Sequence, residues 1–150
     1  MGTKQTLIVP GRFEEVRRVC QFMAEGAAEC GLSQPDIFHI ELACDEACSN
    51  IIEHAYDGED MGEIRADWQF DGEAFIITLH DNGRSFDPDS VPKPSLPSNH
   101  SLEKEPPQPP NIDDVKVGGL GLHFMRKMMD SVQFIFDADG NTLIMVKKKR

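Results

Sequence analysis

No stretch of this 150-residue chain approaches the roughly 20 consecutive apolar residues that a membrane-spanning helix needs, so no membrane partner is expected. The opening "MGTKQTLIVPG" lacks a charged segment followed by a long apolar one, so no secretory signal is read and a cytoplasmic protein is expected. Gly2 and Thr6 do match the pattern for N-terminal myristoylation. A pattern that short recurs by chance, and the segment reads well as a strand. Positive charge is scarce too: 15 basic residues stand against 26 acidic ones, a net charge of −11, which argues against an electrostatic grip on nucleic acid. The one basic cluster, "VKKKR" at the end, reads as a solvated tail that keeps the last strand soluble. An anionic ligand would then depend on backbone N–H groups and a divalent cation for positive potential. Cysteine pairs of the C-x-x-C kind are missing as well. Cys20, Cys30, Cys44 and Cys48 fit no common zinc spacing, even with His39 or His54 drawn in, and read as buried free thiols.

What remains is an ordinary globular composition, 39% hydrophobic and 27% charged, in a chain whose length suits one domain over residues 1–150. "TKQTLIV" reads as a first strand ended by Pro10 and Gly11. From Arg12 to about Cys30, apolar Phe13, Val16, Val19, Cys20, Met23 and Ala27 recur at helical spacing until Gly31 stops the run. Ser33 then offers an N-cap, Pro35 suits a first turn and Asp36 complements the helix dipole, predicting a second helix to about Tyr56. Its buried stripe would run through Ile37, Ile40, Cys44, Ala47, Cys48, Ile51 and Ala55. Ala43, Glu46, Asn50 and Glu53 would lie toward a neighbouring face. Two strand-like runs follow, joined around Asp71-Gly72. Residues 81–118 hold most of the prolines and no sustained periodicity, as in a long functional loop. A third helix from Leu120 and a closing hairpin around "ADGN" complete the chain. Hairpins without regular βαβ alternation predict an α+β fold. This is a two-layer sandwich of about five strands, mixed but mostly antiparallel, with three main helices on one face.

Three polar clusters punctuate this frame. Glu46 and Asn50 lie four residues apart on one helix, where a carboxylate and an amide are costly to bury without partners. In "HDNGRSFDP" a strand ends in Asp81, and Gly83 allows close backbone approach. In "VGGLGLHFMRK" glycines run into a helix, an arrangement whose successive N–H groups suit phosphates. Neither the P-loop nor the dinucleotide G-x-G-x-x-G is present. Taken singly, each cluster has an ordinary structural explanation.

Together, in this order, "DEACSNIIEHAY", "DNGRSFDP" and "GGLGLHFMRKMMD" resemble the N, G1 and G2 boxes of the GHKL ATPase and kinase superfamily. Within it they look most like the stand-alone anti-sigma-factor serine/threonine-protein kinases. The resemblance covers nearly the whole chain. It implies the Bergerat fold, the histidine-kinase-like ATPase architecture, with an ATP lid over about residues 88–117, and ATP and Mg²⁺ as cofactors. Asn50 would hold the Mg²⁺, Glu46 would act as general base toward a protein serine or threonine, and Asp81 would accept a hydrogen bond from the adenine amino group. Gly83 would let the backbone approach the base, and Gly119 and Gly121 would present N–H groups to phosphates. Lys116, just before those glycines, is an additional candidate phosphate contact. Ser85 departs from the pattern, since many superfamily members carry a second G1 glycine there. The implied partners are an anti-anti-sigma antagonist, as phosphorylation target, and a sigma factor, with homodimer formation a further expectation. Two alternatives stand beside this reading: an ATP-gated regulator that grips a partner without efficient transfer, and a histidine-kinase catalytic domain. The second is disfavoured by the short segment before the first predicted helix.

Overall fold

A computed structural model describes residues 3–84 and 120–150. The expected order of elements is present: β1 (Thr3–Pro10), α1 (Phe13–Glu29), α2 (Gln34–Asn50), β2 (Glu63–Phe70), β3 (Ala74–Asp81), α3 (Leu120–Met128), β4 (Ser131–Asp137) and β5 (Gly140–Lys148). Strand order is β1-β2-β3-β5-β4, and each of the four neighbouring pairs is antiparallel, so the expected mixed sheet has no parallel pair among the described strands.

Local chemistry sets the element ends. The helix α1 closes on a left-handed Gly31, whose N–H donates to the Ala28 carbonyl while the Leu32 N–H donates to Ala27. That pair of bonds, with Leu32 and Ala27 both buried, is a Schellman stop. Ser33 caps α2 as expected, its hydroxyl accepting from the Asp36 N–H at 3.3 Å. At the β2–β3 turn, Asp71 Oδ1 accepts from the N–H groups of Glu73 and Ala74, both at 2.8 Å, and these bonds hold its carboxyl below the usual range.

The helices pack on one face of the sheet. Alternation turns Ile64, Ala66 and Trp68 of β2 and Phe75, Ile77 and Leu79 of β3 toward them, all buried. Trp68 stacks on Phe75 at 5.2 Å between ring centroids, and Gly26 of α1 lies so close that a Cβ there would sit 2.4 Å from the indole. Cys20, Cys44 and Cys48 are buried free thiols and Cys30 is half-buried; burial, above all, pushes Cys44 and Cys48 well above the usual thiol range.

Two further expectations change. The helix predicted to run to Tyr56 is α-helical only to Asn50 and continues as a π-helical turn over Ile51–Ala55, with the Tyr56 N–H donating to Ile51. And the terminal cluster is not all solvated tail. Lys147 falls on the core face of β5, is 6% exposed, and donates to the Met128 carbonyl. Its ammonium also lies 3.7 Å from the Asp36 carboxylate and 3.2 Å from His39 Nδ1. Strand alternation carries it inward, and paired acceptors make its burial tolerable. Lys148, Lys149 and Arg150 are exposed.

Candidate functional site

Asp81 ends β3 on the inward-facing phase of the strand and is 2% exposed. Its Oδ1 accepts from the Gly83 N–H at 2.8 Å and from Asn141 Nδ2 at 2.8 Å. Among the described residues no donor reaches Oδ2, the oxygen left to a ligand. Burial raises the Asp81 carboxyl above its usual range, opposed by those two bonds and by nearby His80. Asn141 sits directly across from Asp81 in the β3–β5 register and is itself 4% exposed. Its amide also reaches the carbonyls of Gly83, at 3.3 Å, and Arg84, at 2.9 Å. Gly140 makes this approach possible: its φ is +120°, and a Cβ there would lie 2.1 Å from the Asp81 carbonyl oxygen.

The turn after Asp81 rests on the end of the second helix. A Cβ on Gly83 would fall 2.5 Å from the Ala55 carbonyl oxygen, so glycine is required there by a protein neighbour. The Arg84 N–H donates to that same carbonyl at 2.9 Å, and Arg84 Nε donates to the His54 carbonyl at 3.0 Å. His54 and Ala55 end the helix, where the last carbonyls lack in-helix donors. Asn50, immediately before this turn, is 6% exposed; Glu46, one α-helical turn earlier on the same side, is 8% exposed. The pair, expected to lie toward a neighbouring face, is thus buried.

Asn50 and Asp81 line one open cleft, together with Asn141 and Thr142. Its apolar walls are Ala47, Ile51, Met125, Leu143, Phe134 and Phe136. An apolar cleft with one buried, oriented carboxylate suits a heteroaromatic ring bearing an N–H donor. Asn50 offers an oxygen of the kind a hard cation takes, and magnesium commonly draws only one or two ligands from protein.

Of the residues singled out in the sequence, then, Asn50 and Asp81 meet in the cleft, Glu46 lies one turn behind Asn50, and Gly83 braces the Asp81 turn. Gly121 is the second residue of α3. Lys116, Gly119 and the 88–117 segment lie outside the described residues. Asn141, Tyr56 and the phenylalanine wall of β4 were not anticipated. Parity would have found Asn141, the first residue after the hairpin glycine and on the inward phase of β5.

The sequence model described as "Histidine kinase-like ATPase domain" matches residues 9–147. The chain belongs to this family. Its description, a kinase-like ATPase domain, agrees with an apolar cleft that carries a buried carboxylate and a buried amide. Among its relatives, a serine-protein kinase RsbW of Bacillus cereus is 32% identical over 139 residues, covering 93% of this chain and 81% of the relative. RsbW of Bacillus thuringiensis subsp. konkukian matches at the same identity and coverage. In three dimensions the chain is similar to the crystal structure of the RsbU and RsbW domains of Rv1364c from Mycobacterium tuberculosis, with a TM-score of 0.65 and 17% identity. That match covers 99% of this chain and 33% of the other. The histidine kinase-like ATPase fold is thus shared, on a chain spanning a third of that larger one.

Proposed function

We propose that the protein is an ATP- and Mg²⁺-dependent serine/threonine-protein kinase of the partner-switching type. The observation that carries this reading is the meeting of Asp81 and Asn50 in one apolar cleft, with Glu46 one helical turn from Asn50. Asp81 Oδ2 accepts from the adenine amino group, and the cleft's apolar walls take the faces of the ring. Asn50 would hold Mg²⁺, which would neutralise charge on the ATP triphosphate beside an already acidic protein. The N–H groups of Gly119 and Gly121, with Lys116, meet the phosphates. Glu46 takes the proton from the attacking serine or threonine hydroxyl. The γ-phosphorus bonds to that oxygen as its bond to the ADP oxygen breaks, with catalysis by positioning and charge neutralisation. The phosphorylated partner in this reading is an anti-anti-sigma antagonist and the second client a sigma factor, in the cytoplasm, with the kinase as a homodimer. The 32% identity to RsbW serine-protein kinases supports this class.

One observation favours the second reading, an ATP-gated regulator without efficient transfer: Asn50 is part of the cleft wall and Glu46 is not. Transfer of radiolabel from ATP to a candidate antagonist separates the two. Glu46→Gln is expected to bind nucleotide without transferring phosphate, and Asn50→Ala to lose Mg²⁺-dependent ATP binding. Full transfer by Glu46→Gln would remove the general-base role, and no transfer by the wild type would favour the regulator.

A further inference from the structure

Three successive backbone N–H groups follow Asp81, and each has a defined acceptor. Gly83 donates to Asp81 Oδ1 and Arg84 to the Ala55 carbonyl. Asn82 donates to the hydroxyl of Tyr56 at 3.0 Å. That hydroxyl in turn donates to the Glu63 carbonyl at the start of β2. Tyr56 is 7% exposed, and its ring is clamped: a Cβ on Gly62 would lie 2.6 Å from the ring, and one on Gly11 3.2 Å from it. It directly follows the π-helical turn, and its own N–H closes that turn on Ile51 at 2.9 Å. The ring cannot swing away, so its hydroxyl is a fixed point against which the peptide after Asp81 is set.

We propose that Tyr56 is a positioning residue for the nucleotide site. It touches no substrate; it holds the Asn82 amide, and through it the direction of the Asp81 carboxylate, in register with the π-helical turn that follows Asn50. Adenine recognition and the metal-bearing amide are thereby set from one short segment of chain. This role rests on the reading of the cleft as an adenine site.

The test is Tyr56→Phe in the full chain, which keeps the clamped ring and removes only the hydroxyl. Adenosine and ATP are titrated separately, transfer kinetics are measured, and amide exchange of residues 82–84 is followed. Loss of one buried hydrogen bond to the turn is expected to weaken adenosine and ATP by a common factor of about five to ten. The KM for ATP should rise by that factor, kcat at saturating ATP should stay within about two-fold, and exchange at Asn82 should accelerate. Thr6→Val serves as the control. It removes the Thr6–Asp67 hydrogen bond of 2.6 Å away from the cleft, and is expected to lower the melting temperature with nucleotide affinity unchanged. Unchanged adenosine affinity in Tyr56→Phe, or a loss seen with ATP and not with adenosine, would overturn the positioning role. A wild type that binds neither ligand would instead overturn the nucleotide reading on which it rests.

Discussion

Asp81 combines burial with two donors on one oxygen, and that combination has a pH signature. Its carboxyl is raised above the ordinary 3.8 because desolvation outweighs the bonds from Gly83 and Asn141. With Oδ1 occupied, a proton must reside on Oδ2, the oxygen assigned to the adenine amino group. Adenosine affinity is therefore expected to fall as pH drops, with a midpoint above that of an ordinary aspartate. The sign for stability is the reverse. A carboxyl raised in the folded state binds more protons folded than unfolded, so its contribution to stability is greater at acid pH and declines as pH rises through the shifted value. Asn141→Ala removes a hydrogen bond that favours the charged form. It should move the affinity midpoint higher still and weaken adenosine at neutral pH by about 1–2 kcal/mol, read by calorimetric titration across pH. Lys147 makes a second residue-scale case. Lys147→Met leaves the Asp36 carboxylate buried without its cation, and is expected to lower folding stability by about 3 kcal/mol. Adding Asp36→Asn should recover part of that loss. Additive losses in denaturant titrations would show that the two charges are not coupled.

At the scale of elements, the ends of strands and helices carry their own local signals, and those were legible. Ser33 with Pro35, Gly31 after α1 and Asp71-Gly72 between β2 and β3 each mark a boundary through chemistry confined to a few neighbouring residues. The π-helical turn was not legible, because five residues are too few for a wider helical period to separate from 3.6. Asn141 and Tyr56 were hidden for a different reason. Their contacts reach 60 and 26 residues along the chain, and only the sheet register and the helix end bring them to Asp81. Lys147 was misassigned because a basic run reads as surface until strand parity is known. The clearest prediction at this scale concerns Gly83. Its sequence role as a point of ligand approach is joined by a packing role against Ala55, so Gly83→Ala pushes a methyl into backbone, which cannot yield as a flexible side chain would. A loss of about 2 kcal/mol or more in chemical denaturation is expected, together with weaker nucleotide binding. An unchanged denaturation midpoint would contradict the close contact.

For the molecule as a whole, five antiparallel strands carry their helices on one face, and the site forms where the inner ends of β3 and β5 meet the helix that bears Glu46 and Asn50. Two layers, strand count and helix placement followed from hairpin signals and helical periodicity. The candidate site was read from the three-box resemblance, and the structure brings two of its residues, Asn50 and Asp81, to one cleft. Net charge −11 makes the protein a poor electrostatic host for a triphosphate, so binding should depend steeply on the divalent cation. Titrating ATP into the protein with Mg²⁺ and again with chelator should show much the larger affinity with Mg²⁺, whereas adenosine should bind equally in both. The most direct test of the central claim, that this cleft is the ATP site, is calorimetric titration of Mg·ATP into wild type and Asp81→Asn. A single site is expected in the wild type and a loss of about 30-fold or more in the variant, where an amide replaces the charged acceptor. Equal affinity in the two proteins would contradict it.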